Sequence, residues 1–261
     1  MSAFQIKEPT CISFSGGRTS AFMLYKVLEA HQMSLPEDAI VCFANTGKED
    51  EATLRFVHDC ETHWNVKIHW LEFVPKSFNE VSFETASRNG EPFERLIDMK
   101  SYLPNPVARF CTEELKVKTI DKFLQSKGIE AAMMVGIRAD EPRRLPKLRA
   151  RGLLVPLADA EIRQNDVQAF WKSQPFDLGL TFRDGVTALG NCDLCFLKGP
   201  QQIMGLIKDK PERATWWAKQ EEKIGATFRS DRPQYGQMMR FMTDQADMFN
   251  TEGTISCFCG D

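Results

Sequence analysis

Two stretches of this 261-residue chain carry side chains whose types and spacing suit chemistry. The first is Ser15-Gly16-Gly17-Arg18-Thr19-Ser20. Paired glycines let the backbone approach a ligand closely and adopt positive φ. The hydroxyls of Ser15, Thr19 and Ser20 add donors, and Arg18 adds charge. With a strand before it and a helix after it, such a turn offers unpaired N–H groups and a positive dipole end to an anion. The spacing is neither Gly-x4-Gly-Lys-Ser/Thr nor Gly-x-Gly-x-x-Gly, so the plainer alternative is a strand–helix turn that uses two glycines for shape. The second stretch is Cys192-Asp193-Leu194-Cys195, between Gly190 and Gly199. Two thiols three residues apart can chelate one ion or two corners of a cluster.

A pair of thiols is not yet a site. Cys111 stands just ahead of a predicted helix whose N-terminus would favour its thiolate, and Cys257 and Cys259 lie near the last residue. His31, His58, His63 and His69 are far from this set in sequence. A donor set of cysteines alone suits an iron–sulfur cluster or an all-cysteine zinc site. Cys259 has a second reading as a mobile nucleophile. Cys11, Cys42 and Cys60 fall within predicted strands or helices and read as small apolar core residues.

Two further segments join the list. Asn45-Thr46-Gly47 ends a predicted strand, where open parallel sheets bind ligands; an ordinary turn is the alternative. Gly136-Ile137-Arg138-Ala139-Asp140-Glu141-Pro142-Arg143-Arg144 follows another, and five arginines fall within residues 138–151. Arginine forks match phosphate and sulfate oxygens. The alternatives are a solvated charged loop and a nucleic-acid backbone site, the latter without aromatic residues interleaved in the run.

These residues need elements to position them. Residues 11–15, 39–44, 66–74 and 131–137 read as strands, and 153–157 as a short one. Residues 50–64, 112–127 and 164–173 read as helices, and another starts at the Gly pair with Ala21, Leu24 and Leu28 on one face. Thr112 is expected to cap the 112–127 helix, residues 75–110 read as irregular, and the chain from 200 onward reads as helical. The order β-α-β-α-β predicts an α/β fold, a doubly wound, mostly parallel sheet with helices on both faces. We divide it into residues 1–199 and a helical C-terminal extension, 200–261, with a cysteine-containing tail. A net charge of -3 gives no global pull toward polyanions, so such a partner needs a local basic patch. No apolar run approaches the ~20 residues that span a bilayer, and no secretory signal is evident. Scattered cysteines without such a signal predict a reducing, cytoplasmic setting.

In this order the pieces resemble the phosphoadenosine-phosphosulfate (PAPS) reductase family, within the PP-loop ATP pyrophosphatases and the adenine nucleotide alpha-hydrolase-like superfamily. Ser15–Ser20 looks like its Ser-Gly-Gly-x-x-Ser phosphate loop. Asn45-Thr46-Gly47 with Glu51-Ala52-Thr53 is similar to its Asp-Thr-Gly and Glu-Thr pair. Cys111 through Val117 resembles its Cys-x-x-x-Arg/Leu-Lys-Val segment, and Gly136-x-Arg138-x-x-Glu141-x-x-Arg144 its Gly-x-Arg motif. Val155-Pro156-Leu157 before Asp166-Val167 matches its Pro-Leu and Asp-Val stretch. Gly190-Asn191-Cys192-x-x-Cys195 resembles the Cys-x-x-Cys of the cluster-bearing members. The resemblance implies an adenine nucleotide (ATP, or PAPS or adenylylsulfate as substrate) held by Ser15–Ser20, Asn45–Gly47, Gly136, Arg138, Glu141, Arg143 and Arg144, with magnesium as a companion ion. It implies a 4Fe-4S cluster on Cys111, Cys192 and Cys195, with Cys257 as the further ligand; a homodimer is one assembly open to the chain, and the sequence does not fix the oligomer. Where the cluster reductases carry adjacent cysteines this chain has Phe110-Cys111, and its phosphate loop is intact, as in members that split ATP. ATP-dependent adenylation with sulfur transfer to a small molecule or nucleobase is therefore the leading expectation, with Arg18 steadying the phosphates. The alternatives are thiol-dependent reduction of PAPS or adenylylsulfate to sulfite, with Cys259 as nucleophile, and a non-catalytic nucleotide- or cluster-sensing module.

Overall fold

The computed structural model of the chain describes residues 2–183 and 186–250. Short apolar runs build a five-stranded sheet from β1 (Thr10–Ser13), β2 (Ala39–Asn45), β3 (Ile68–Val74), β4 (Ser77–Val81) and β5 (Ala132–Val135). Its order is β4-β3-β2-β1-β5; β5, β1, β2 and β3 run parallel and β4 is antiparallel to β3. The α/β, mostly parallel architecture is therefore as the alternation of strands and helices predicts.

Side chains alternate across this sheet with period two. Ile12, Val41, Phe43, Ile68 and Trp70 face one layer, made by α1 (Arg18–Ala30), α2 (Glu51–His63) and α8 (Gln164–Ser173). Cys11, Cys42, Ala44 and Leu71 face the other, where α5 (Lys118–Ser126) brings Ile120, Phe123 and Leu124. Cys11, Cys42 and Cys60 are all buried, as their apolar surroundings in sequence suggest.

Residues 75–110 are not irregular. They hold β4 and α3 (Glu91–Lys100). β4 alternates weakly because it is a short edge strand, half open to solvent. α3 begins at Glu91-Pro92, and proline is tolerated in a first helical turn, where its missing N–H has no partner to lose. Residues 153–157 are not a strand: Leu154 makes a single bridge to Met134, and Pro156 opens the turn α7 (Pro156–Asp159). The helix expected from Thr112 starts earlier, as α4 (Phe110–Thr112), runs through a π-helical stretch, Glu113–Val117, and continues as α5. Thr112 lies inside it and caps nothing. The basic segment contains α6 (Leu145–Ala150), and β6 (Phe182–Arg183) pairs with β7 (Val186–Thr187).

Among the described residues past 199 the chain forms α9 (Pro200–Asp209), α10 (Arg213–Ile224) and α11 (Tyr235–Asn250). Their apolar faces meet Phe73, Phe93, Leu96, Ile97, Leu103 and Leu115 in a second core. Trp217 sits at its centre, fully buried, against Phe228 and Tyr235 at ring-centroid distances of 5.0 and 5.4 Å. Its Nε1 donates to Asp193 Oδ1 at 2.9 Å. Trp217→Ala should cost about 3–5 kcal/mol through lost burial and the cavity left behind. Urea denaturation reads this, and a loss under about 1 kcal/mol would show that this core does not carry the second half of the chain.

Candidate functional site

The chain leaves β1 at Ser13 and enters α1 at Arg18 through the glycine pair. Gly16 has φ +75, and a Cβ there would stand 2.7 Å from Thr53 Cγ2. Gly17 is the N-cap of α1, and no side chain caps the helix, so its first N–H groups remain available to a ligand. Ser20 Oγ lies 2.9 Å from Ser15 Oγ, accepts from Ser15 N and donates to Gly17 O, which fixes the loop. In the sheet order, β1 lies between β2 and β5, so the loops after β1 and β5 flank the point where chain direction across the sheet reverses. Open α/β sheets bind ligands in that crevice. Gly136, just past β5, packs so closely on α1 that a Cβ would stand 2.9 Å from Ser20 Cα. Arg138 then reaches across, donating to Thr19 Oγ1 at 3.2 Å.

The arginines divide. Arg18 does not face the loop; it forms a fork with Asp177 at 2.6 and 2.5 Å, so a nucleotide would have to compete for it. The guanidinium nearest the loop is Arg138, itself paired with Asp140 at 2.8 Å. Arg144 is exposed and pairs with Glu141 at 2.6 Å, whose other oxygen accepts from Arg138 N. Arg143 is exposed and has no ion-pair partner among the described residues.

Asn45-Thr46-Gly47 connects this edge to the cysteines. Asn45 is buried and donates to Glu72 Oε1 and Ser87 O, while its own carbonyl oxygen accepts from Gly47 N. Asn45 is thus a brace and not a ligand-facing group. Thr46 donates through both N and Oγ1 to Glu49 Oε2, at 2.9 and 2.7 Å, and its Oγ1 lies 3.5 Å from Cys192 Sγ. Glu49 bridges to Cys192 through the backbone and to Lys116 Nζ at 3.5 Å. Lys48 pairs with Asp193 at 3.2 Å, both side chains nearly buried.

Cys111, Cys192 and Cys195 line one cavity of about 480 Å³ together with Thr46, Arg109, Lys116, Arg144 and Lys198. The expected trio therefore lines one cavity, and Thr46 and Arg144 extend its lining toward the loops that follow β2 and β5. Among the described residues no three His, Cys, Asp or Glu side chains gather closely enough to hold a metal ion. Cys257 and Cys259 lie outside the described residues. Lys116, Glu49, Lys48, Asp193, Lys198 and Arg109 were not expected at the site. Lys116 and Asp193 stand inside two of the motifs and Lys48 and Glu49 between two others, but nothing in sequence places Lys116 and Glu49 together. The π turn does so: it sends Leu115 inward and Lys116 to Glu49, and Thr119 Oγ1 satisfies the displaced Glu114 carbonyl at 2.8 Å.

Electrostatics corrects one expectation. The Cys111 thiol is raised, first by burial and then by Cys195, and the contacts that lower it do not compensate. Burial raises Cys192 strongly too, with Glu49 and Cys195 adding to it. Burial pushes Lys116 down, yet Glu49 and Cys192 hold it above its usual value. Burial holds Lys198 low, and its Nζ donates to Gly190 O and Cys192 O.

An uncapped helix at the switch point of an open, mostly parallel sheet thus stands near a cavity lined by three thiols in an α/β protein. A family model of the phosphoadenosine phosphosulfate reductase domain matches residues 9–151, more than half of the chain. The chain belongs to that family, whose members bind adenine nucleotides. The nin region protein ORF290 of Escherichia phage lambda is 33% identical over 217 residues, covering 76% of this chain and 69% of the phage protein. The protein MJ0066 of Methanocaldococcus jannaschii is 32% identical over 139 residues, which are 52% of this chain and 24% of that protein. A solved structure, the U34-tRNA thiolase NcsA from Methanococcus maripaludis with its 4Fe-4S cluster, aligns over 98% of this chain and 77% of its own. Its identity is 13% and its TM-score 0.43, a likeness too slight to transfer anything. No helix among the described residues is long and apolar enough to cross a membrane.

Two outcomes check this geometry. Gly136→Ala should force β5 and α1 apart, at a cost of roughly 1–3 kcal/mol from overpacking, and weaken any nucleotide bound between them; calorimetry with ATP reads the second effect. For Glu114, burial pushes the carboxyl up, but Lys100 and Lys118, at 3.0 and 3.1 Å, hold it below its usual range. Its stabilisation is present above the unfolded value of roughly 4.3 and is lost as pH falls through the lower folded value. Glu114→Gln should therefore flatten the acid limb of a stability–pH profile and leave the slope near neutrality unchanged.

Proposed function

We propose that the protein uses ATP to adenylate an acceptor oxygen and then replaces that oxygen with sulfur. The observation that carries this reading is the single cavity shared by Cys111, Cys192 and Cys195, joined to the phosphate-loop edge through Thr46 and Arg144. The acceptor oxygen attacks the α-phosphorus of ATP, the bond to the β-phosphate bridge breaks, and pyrophosphate leaves. Sulfide sulfur then attacks the adenylated carbon, the carbon–oxygen bond breaks and AMP leaves; no net oxidation occurs.

The residues divide this work. The first N–H groups of α1, with Thr19 and Arg138 beside them, hold the triphosphate by preorganised dipoles and charge. Gly16, Gly17 and Gly136 allow the close approach, and magnesium would accompany the phosphates. Arg144 faces the cavity from the nucleotide side. The three thiols are spread round the cavity more widely than a single ion needs, and as an all-sulfur set with Lys116, Lys198, Arg109 and Arg144 to offset thiolate charge they suit the larger 4Fe-4S cluster by donor chemistry. Bound there, it would supply an open iron for sulfide when only three cysteines hold it; Cys257 is the candidate for a fourth.

Anaerobically purified protein should contain iron and acid-labile sulfide and should convert ATP to AMP and pyrophosphate when sulfide and an acceptor are supplied. Cys111→Ser and Cys192→Ser should each lose most of the iron and the visible absorbance while retaining ATP binding. Release of sulfite from PAPS or adenylylsulfate, abolished by Cys259→Ser, would instead establish the reductive reaction. Tight ATP binding without any turnover would leave a sensing module.

A further inference from the structure

We propose that Asp177 is a specificity-determining residue of the nucleotide site: it holds the Arg18 guanidinium off the phosphate loop, so that a polyphosphate wins Arg18 and a monophosphate does not. The proposal rests on the reading of Ser15–Ser20 as an ATP site and adds what makes that site prefer ATP over its product AMP. Arg18 is the first residue of α1, directly after the Gly17 N-cap, so its side chain starts at the helix end offered to phosphates. It is drawn away by a two-bond fork to Asp177, 159 residues further along, at 2.6 and 2.5 Å. Bidentate, charge-assisted geometry makes such a fork directional. The two side chains are nevertheless 19% and 38% exposed, and ion pairs in contact with water add little net energy. The fork therefore decides where the guanidinium rests, and a more highly charged anion can still replace it.

Of the two partners, the carboxylate is the fixed one. Asp177 follows α8 and stands between two packed neighbours. Phe176 meets Phe56 and Trp171 at ring-centroid distances of 6.1 and 5.7 Å, and Leu178 is buried. Leu178 N donates to Asp177 Oδ1 at 2.7 Å. The Arg18 backbone is pinned as well, its carbonyl accepting from Trp171 Nε1 at 2.9 Å. What remains free to move is the Arg18 side chain. Arg138 differs: although paired with Asp140, it already touches the loop through Thr19 Oγ1. One guanidinium is thus in place for any phosphate at the loop, and a second must be won from Asp177. AMP brings only the phosphate that the loop and Arg138 can meet. ATP adds its β- and γ-phosphates, whose charge exceeds that of one carboxylate and so outcompetes it at similar distance. When pyrophosphate leaves in the proposed adenylation, Arg18 returns to Asp177 and AMP is held by the loop and Arg138 alone.

The test is calorimetry of the full chain with ATP, AMP and pyrophosphate, without sulfide or acceptor. Asp177→Asn should tighten ATP and pyrophosphate roughly three- to tenfold and leave AMP unchanged. Arg18→Gln should weaken ATP and pyrophosphate and leave AMP unchanged. Asp177→Asn added to Arg18→Gln should bring no further change, because the carboxylate then has no guanidinium to hold. Thermal unfolding controls for folding, with Asp177→Ser as the replacement if Asp177→Asn fails it. Equal tightening of all three ligands, or tightening that persists without Arg18, would overturn the proposal and make Asp177 a plain negative charge near the site. Weaker ATP binding in Asp177→Asn would overturn it by making Asp177 a binding group, and no change at all would reduce the fork to a tether. Selective ATP binding of the expected kind without formation of AMP and pyrophosphate on any acceptor would retain the role of Asp177 and remove the adenylation reading. Turnover of ATP with no response to Asp177→Asn would do the reverse, and failure to bind ATP would remove both.

Discussion

Glu49 is a carboxylate almost shut off from water, its side chain 1% exposed. A charge in that position persists only with partners, and each partner belongs to a different part of the molecule. Thr46 gives it two donors from the end of β2, Lys116 gives an ammonium from the π turn behind Cys111, and its backbone bridges to Cys192. Beside it, Lys48 and Asp193 form a second nearly buried ion pair, with Trp217 donating to the same aspartate. Such pairs add little net stability over apolar replacements, but losing one member strands the other at a cost of about 3–5 kcal/mol. The result is one permitted arrangement: the Cys192–Cys195 loop and the helix bearing Cys111 are both referenced to the C-terminal end of the sheet, where the phosphate loop also starts. The cavity of thiols takes its shape from the C-terminal edge of the sheet.

The sheet and its helices were legible because their signals are local. Apolar runs of four to seven residues ended by Gly or Asn mark β1 and β2, and the spacing of Val167, Phe170 and Trp171 marks α8 to the residue. What was not legible depends on partners remote in sequence. β4 is a strand because β3 offers it an open edge, and its own residues scarcely alternate. Pro92 reads as a breaker in isolation and as a first-turn residue once Gly90 begins α3 in the left-handed region. The π turn has no marker in Glu113–Val117; it is favoured because it seats Leu115 in the core and Lys116 on Glu49 together.

The candidate site shows the same division. The glycine loop could be read as an anion site from its own residues, and the cysteines could be named as donors from theirs. That Arg18 turns to Asp177 could not be seen, because the partner lies 159 residues away. Nor could the brace formed by Asn45, since Glu72 and Ser87 carry no pattern of their own. Types and local spacing announce which groups can do chemistry; which of them face a ligand is decided by long-range competition for the same donors and charges.

Charge around the cavity argues for the direction in which it is filled. With the Cys111 and Cys192 thiols raised by burial and by their neighbours, neutral sulfur stands beside the cations of Lys116, Lys198, Arg109 and Arg144. Glu49 answers Lys116 and Glu141 answers Arg144, which leaves Arg109 and the half-buried Lys198 without an ion-pair partner among the described residues. A metal that takes thiolates must expel their protons, and each thiolate so made meets a cation already in place. Cations gathered around thiols are unfavourable beside neutral sulfur and favourable beside thiolate. The same lysines and arginines give the cavity lining a positive sign.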